Sequence, residues 1–138
     1  VDIGVVAEIL LINGKLKIEF GLVLMGIDYS YLRVKKINGK LFISQIICQN
    51  ADKKTEEQEI NTTEIKGEEI YLRVKITEDG KGIFSHSEDQ SNYKTIGNVF
   101  SIKQGKWIGA KIGYIALREG FINDSGYIKI DWIRFEKI

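Results

Sequence analysis

Pairs of turn-forming residues alternate with short runs of period two along this chain, and that pattern restricts it to antiparallel β-structure. The turn pairs are Asn13-Gly14, Asn38-Gly39 and Asp79-Gly80. Such pairs are preferred in type I′ hairpin turns, because both central positions of that turn have positive φ. The chain has 14 glycines and no proline, so proline interrupts none of the strands. The pattern predicts a series of antiparallel hairpins.

The runs between the turns have the periodicity of half-buried strands. Over residues 69–76 the even positions are apolar and alternate with Glu69, Arg73 and Lys75, and only Tyr71 departs from the polar set. Successive side chains of a strand point to opposite faces, so a run of this kind buries one face.

Further runs bring the number of predicted short strands to about ten. They include residues 16–20, 29–36, 40–47, 81–87, 108–117 and 128–132. No stretch keeps helical spacing over three turns, and the charged segment 52–59 is predicted as a solvated hairpin connection in preference to a short helical turn. The prediction is one all-β domain over residues 1–138, a two-sheet antiparallel β-sandwich.

Charge and cysteine content argue against several classes of partner. The chain has 20 Lys and Arg against 19 Asp and Glu, for a net charge of +1. This balance predicts neither a nucleic-acid partner nor a membrane partner. Cys48 is the single cysteine, which excludes a disulfide framework within the chain. No apolar run reaches the roughly 20 residues that a membrane-spanning helix needs.

No cofactor is expected. Four aspartates fall in predicted turns, where a structural calcium ion is possible, but no loop has the Asp-x-Asp-x-Asp-Gly pattern that would assign it a specific site. They are Asp28, Asp52, Asp89 and Asp124.

The sequence offers no complete catalytic site, so the chain is not expected to be an enzyme by itself. His86 is the only histidine, and a strand histidine at the rim of a sheet is the simpler interpretation. Sandwich glycosidases of the retaining type need two carboxyl groups roughly 5–5.5 Å apart. Asp131 and Glu136 are separated by an odd number of residues, so in an unbroken strand they face opposite ways. We assign no catalytic residue.

Aromatic residues are the remaining candidates for binding. A pyranose stacks its C–H face on an exposed ring while nearby polar groups bind its hydroxyls, although rings in a sandwich are more often core or interface residues. Tyr29 and Tyr31 share a strand face, as do Tyr127 and Asp131. The candidate carbohydrate-binding residues are Tyr29, Tyr31, His86, Trp107, Tyr127 and Asp131.

Several stretches in order along the chain resemble one accessory domain. They are Gly-Leu-Val-Leu-Met-Gly-Ile-Asp-Tyr-Ser-Tyr-Leu at 21–32, Ile-Tyr-Leu-Arg-Val at 70–74, Phe-Ser-His-Ser at 84–87, Gly-Lys-Trp-Ile-Gly-Ala-Lys-Ile-Gly at 105–113 and Ile-Asp-Trp-Ile-Arg-Phe at 130–135. Together they resemble the C-terminal concanavalin A-like sandwich of bacterial glycoside hydrolase family 43 enzymes, the β-xylosidases and α-arabinofuranosidases. The family more often has tyrosine at the position of His86.

The resemblance implies a concanavalin A-like jelly roll attached to a five-bladed propeller that carries the catalytic carboxylates. Since the chain begins with Val1 and not with methionine, we expect it to be a fragment of a longer multidomain glycoside hydrolase. The expected partners are the catalytic domain of the same polypeptide and an oligo- or polysaccharide.

Two functions follow from the resemblance, and both belong to plant polysaccharide breakdown. The first is a non-catalytic accessory domain of a xylan- or arabinoxylan-degrading enzyme, which packs on or supports the catalytic propeller. The alternative is a stand-alone carbohydrate-binding module that binds xylan or a related glycan on an aromatic sheet face. A secreted or periplasmic location is favoured over a cytoplasmic one.

Overall fold

The computed structural model describes residues 3–10, 18–67, 69–103, 109–118 and 129–137. Within these ranges the chain forms eleven strands and one short 3-10 turn, Ala51–Lys53. The strands are β1 (Ile3–Leu10), β2 (Ile18–Met25), β3 (Tyr29–Ile37), β4 (Lys40–Cys48), β5 (Gln58–Ile65), β6 (Glu69–Ile76), β7 (Lys81–Ser87), β8 (Lys94–Thr95), β9 (Phe100–Ser101), β10 (Lys111–Arg118) and β11 (Lys129–Lys137). No helix in the described part is long and apolar enough to cross a membrane.

The strands form two antiparallel sheets. One sheet has the order β10-β2-β3-β4-β5. The other has the order β11-β1-β6-β7-β8, and the short strand β9 also pairs with β7. The predicted all-β sandwich of two antiparallel sheets is confirmed.

The core lies between the two sheets and contains the apolar side chains that alternation assigns to one face of each strand. On β6, Ile70, Leu72 and Val74 are fully buried, as the period-two pattern predicts. The same cluster takes Phe20, Leu22 and Leu24 from β2, Leu32 and Val34 from β3, Ile43 from β4, Ile65 from β5 and Phe84 from β7.

The glycine turns agree with the predictions in position and differ in type. Asn38 and Gly39 both have positive φ, at 50° and 80°, so they form the predicted type I′ hairpin between β3 and β4. At the β6–β7 turn only Gly80 has positive φ, at 75°. The type I′ prediction is therefore wrong for Asp79-Gly80, because this is a longer turn in which the Asp79 carboxylate accepts a hydrogen bond from the Thr77 hydroxyl. Asn13-Gly14 lies outside the described residues.

The predicted hairpin connection over 52–59 is confirmed for residues 52–57, and this part also contains most of the 3-10 turn. Strand β5 then begins at Gln58, where no strand was predicted. A β-bulge near Asn61, which has a φ of 52°, shifts the register between β4 and β5. β5 is an edge strand, and a bulge of this kind hinders further pairing along that edge.

Candidate functional site on the outer face of the five-stranded sheet

The five-stranded sheet has a second apolar cluster on the face that points away from the core. We call this side the outer face. One row of residues in register crosses all five strands, in the order Gly113, Val23, Tyr31, Ile46 and Glu59. Val23, Tyr31 and Ile46 pack together and are buried, although they lie outside the space between the sheets. The outer face therefore holds a small core of its own.

Two tyrosines of β3 share one carboxylate on the outer face. The rings of Tyr29 and Tyr31 stack with centroids 6.2 Å apart. The Tyr29 hydroxyl donates to Glu57 Oε1 at 2.8 Å, and the Tyr31 hydroxyl donates to Glu57 Oε2 at 3.2 Å. Burial, together with Glu57, raises the pKa of both hydroxyls above their ordinary value of 10. Both tyrosines therefore remain hydrogen-bond donors to Glu57.

Arg33, two residues further along the same face of β3, ties the neighbouring strands together. Its guanidinium lies 2.8 Å from a carboxylate oxygen of Glu59 and 3.5 Å from one of Glu19. The Ser44 hydroxyl also donates to Glu59, at 2.8 Å. Burial alone pushes the pKa of Glu59 upward, but the hydrogen bonds from Arg33 and Ser44 outweigh burial and hold it below its ordinary value of 4.5. Glu59 is thus an ionised acceptor and not a proton donor.

A buried aspartate fixes the corner that leads into Tyr29. Asp28 is 3% exposed and accepts a hydrogen bond from the backbone N–H of Asn50 at 2.8 Å. Its second oxygen lies 3.0 Å from the Lys103 ammonium group. The Asn50 bond, with help from Lys103, holds the pKa of Asp28 below its usual value despite burial. At Gly26 a Cβ would lie 2.1 Å from the Lys103 carbonyl oxygen, so this corner has no room for a side chain.

Of the aspartates considered for calcium, Asp28 and Asp89 belong to separate hydrogen-bond networks. Asp28 binds Asn50 and Lys103, while Asp89 accepts backbone N–H groups of its own turn from Ser91 and Asn92. Asp124 lies outside the described residues. Over the described ranges, no group of three or more His, Cys, Asp or Glu side chains is placed to hold a metal ion.

The six predicted sugar-binding residues are not all together. Tyr29 and Tyr31 share the outer face, as predicted, and Tyr31 is only 1% exposed. His86 lies in the other sheet, on the core-facing side of β7 with Phe84, and is 6% exposed. Asp131 lies in β11 of that other sheet, at a β-bulge where Trp132 and Ile130 pair with adjacent residues of β1. Trp107 and Tyr127 lie outside the described residues, and sugar binding by these six remains a prediction.

Sequence reasoning missed the charged members of the outer face. Arg33 follows Tyr29 and Tyr31 at the same period-two spacing, so their shared face was open to prediction. The sequence predicts a solvated connection for Glu57 and Glu59, because nothing local in it indicates that a bend at residues 49–57 brings Glu57 to the tyrosines.

Comparison with known proteins identifies the family. The family model described as "Beta xylosidase C-terminal Concanavalin A-like domain" matches residues 14–136. The chain belongs to this family. The resemblance inferred from the sequence and the concanavalin A-like fold are therefore confirmed.

The chain spans only a small part of the length of the related proteins that it matches. A β-xylosidase from Formosa agariphila is 32% identical over 73 residues, which is 53% of this chain and 12% of that protein. A solved structure of a bifunctional GH43-CE protein from Bacteroides eggerthii superposes with a TM-score of 0.86 at 22% identity, over 99% of this chain and 18% of that chain. A solved structure of a glycoside hydrolase of family 43, engineered to display both endo-xylanase and exo-arabinofuranosidase activity, superposes with a TM-score of 0.82 at 14% identity. The match covers 99% of this chain and 29% of that chain. The chain therefore spans less than a third of each.

Proposed function

We propose that this concanavalin A-like domain is a non-catalytic accessory domain of a xylan- or arabinoxylan-degrading enzyme of glycoside hydrolase family 43. Its role is to pack on the catalytic propeller of the same polypeptide and to stabilise it. Family membership supports the first part of this proposal, since the family consists of C-terminal domains of β-xylosidases. The small share of each relative that the chain covers leaves room for a separate catalytic domain.

The observation that carries the proposal is the state of the carboxylates on the outer face. A glycosidase of the usual kind needs one carboxyl group that stays protonated near neutral pH and a second that is ionised and faces the sugar. Glu59 instead has a lowered pKa and is bound by Arg33 and Ser44. Glu57 is bound by two tyrosine hydroxyls. These carboxylates stabilise the face and are not arranged for proton transfer to a substrate.

The same face carries an apolar strip suited to contact with another domain. We define the strip by Leu117 and Ile115 on β10 and by Val23 and Met25 on β2. The registers Gly113 to Val23 and Ile115 to Gly21 make Ile115 and Val23 diagonal neighbours, and Leu117 and Met25 extend the strip in opposite directions on the same face. Met25 and Leu117 at its two ends are 45% and 41% exposed. We assign this strip to the catalytic propeller, because the known members of the family are parts of longer glycosidases.

The test has two parts. The isolated chain, incubated with aryl β-xyloside and aryl α-arabinofuranoside, should release no phenol above the buffer rate. In the full-length polypeptide, Met25→Glu and Leu117→Glu should shorten the half-life of xylosidase activity on heating, because each places a charge in the contact.

The matched control is Ile37→Glu, since Ile37 is 42% exposed at the β3–β4 hairpin and lies outside the strip. Hydrolysis by the isolated chain would overturn the non-catalytic assignment. Equal heat inactivation of the strip variants and the control would overturn the assignment of the contact surface.

Carbohydrate binding is a second candidate, favoured by one arrangement. Tyr29 is partly exposed beside Tyr31 and lies within hydrogen-bond distance of the Glu57 carboxylate, and a ring next to a carboxylate is a common way to hold a sugar. Calorimetric titration with xylo- and arabino-oligosaccharides tests this, with Tyr29→Ala and Trp107→Ala alongside. Saturable heat lost in either variant would establish the module, and absence of heat from the folded wild-type chain would exclude it.

A further inference from the structure

The single histidine is buried with one ring nitrogen unsatisfied. His86 lies on the core-facing side of β7, in register with Leu72 of β6 and Lys94 of β8. It is 6% exposed, and its Nδ1 has no hydrogen-bond partner. Buried polar atoms nearly always have such a partner, so an unpartnered one calls for an explanation.

Glu88, two residues after His86, forms hydrogen bonds to the connection by which the chain crosses from one sheet to the other. Strand β5 belongs to the five-stranded sheet and β6 to the other, so the connection through Lys66 and Gly67 joins the two. Glu88 Oε1 accepts the backbone N–H of Lys66 at 2.7 Å and that of Gly67 at 3.0 Å. The Gly67 bond is the main cause that holds the pKa of Glu88 below its ordinary value.

Among the described residues, two charged side chains act on the imidazole. From β8, Lys94 disfavours the imidazolium, and from the end of β7, Glu88 favours it. The facing residue on β6 is Leu72, which carries no charge. The connection between the sheets contributes the Lys66 and Gly67 amides, while the Lys66 side chain is exposed. Burial is the largest influence and lowers the pKa of His86 below 6.5.

We propose that His86 and Glu88 form a pH-sensitive latch on the crossover between the two sheets. When His86 takes up a proton from solvent, the new charge lies in an apolar setting, and the Glu88 carboxylate is the described group able to compensate it. Glu88 then turns towards the imidazolium and releases the Lys66 and Gly67 amides.

The test is an NMR titration of the isolated chain from about pH 8 to about pH 4, which spans the range in which histidine changes charge. We expect the His86 Cε1–H resonance to titrate with a midpoint below 6.5. We expect the Lys66 and Gly67 amide resonances to move with that same midpoint. In His86→Phe this step should vanish, and only the movement that accompanies protonation of Glu88 itself should remain.

A second variant keeps the inference testable if His86→Phe does not fold. Glu88→Gln removes the compensating carboxylate, so the His86 midpoint should fall further and the amide step at Lys66 and Gly67 should disappear. Amides that stay still while His86 titrates would overturn the latch, as would an unchanged His86 midpoint in Glu88→Gln. The inference does not depend on the proposed function, since no activity is measured.

Discussion

Gln45 is a fully buried polar residue on the core side of β4, and its replacement should be among the most damaging single changes in the chain. Its side-chain amide makes two hydrogen bonds to the backbone of the loop before β9. The Asn98 N–H donates to Gln45 Oε1 at 2.6 Å, and Gln45 Nε2 donates to the Asn98 carbonyl at 2.9 Å and to the Ser30 hydroxyl at 3.2 Å.

Gln45→Met keeps the length of the side chain and removes all three hydrogen bonds. Each bond contributes about 1 kcal/mol, and each buried group left without a partner costs about 1–3 kcal/mol, partly offset by the apolar methionine. We therefore expect a loss of about 3 kcal/mol in the free energy of unfolding. For a domain of this size that corresponds to a fall in Tm of roughly 10 °C.

Urea unfolding followed by tryptophan fluorescence measures the loss. The matched control is Gln58→Met, the same substitution at an exposed position of β5, which should change stability by less than about 0.5 kcal/mol. If Gln45→Met cost no more than Gln58→Met, Gln45 would not be what holds the loop in place.

Three further predictions concern other parts of the molecule. Gly97→Ala should destabilise the fold by more than about 1 kcal/mol, because Gly97 has a φ of 76° and a Cβ there would lie 1.8 Å from Gln45 Oε1; an unchanged urea midpoint would contradict this. Arg33→Gln should lower the free energy of unfolding by about 1–2 kcal/mol, a figure already reduced because Glu59 is partly exposed. Calorimetric scans at low and high salt measure this loss, and an unchanged Tm at both would show that the ion pair contributes nothing. The pKa of His86 is lower in the folded protein than its ordinary 6.5, so below pH 6.5 the unfolded chain binds more protons than the folded one. The free energy of unfolding should therefore fall as pH drops through 6.5 towards the folded-state pKa. The same dependence of stability on pH in His86→Phe would refute this.

Strand positions could be predicted from the sequence wherever one face is apolar and the other polar. On β6 the alternation of Ile70, Leu72 and Val74 with charged residues corresponds directly to burial in the core. The prediction failed for β5, because this edge strand has the sequence Gln-Glu-Ile-Asn-Thr-Thr-Glu-Ile, in which most positions are exposed and only Ile65 is buried, so it carries no apolar stripe. The sequence carries no signal for this strand, because hydrogen bonding to β4, and not burial of an apolar face, makes the segment a strand.

The candidate site could be predicted only in part. Period two places Tyr29, Tyr31 and Arg33 on one face, but β3 also has Leu32 and Val34 on the other. Local pattern alone cannot say which face meets the core. The position of Glu57 depends on the path of a connection more than 20 residues away in sequence from Tyr31, and contacts of that kind arise from tertiary packing.

The most direct test of the accessory role is calorimetric titration of the separately produced catalytic domain with this chain. We expect saturable one-to-one binding by the wild-type chain, weaker binding by Leu117→Glu, and unchanged binding by Ile37→Glu. Circular dichroism should first show that each component is folded. Absence of binding between folded components would contradict the proposal that this sandwich packs on and stabilises a catalytic domain.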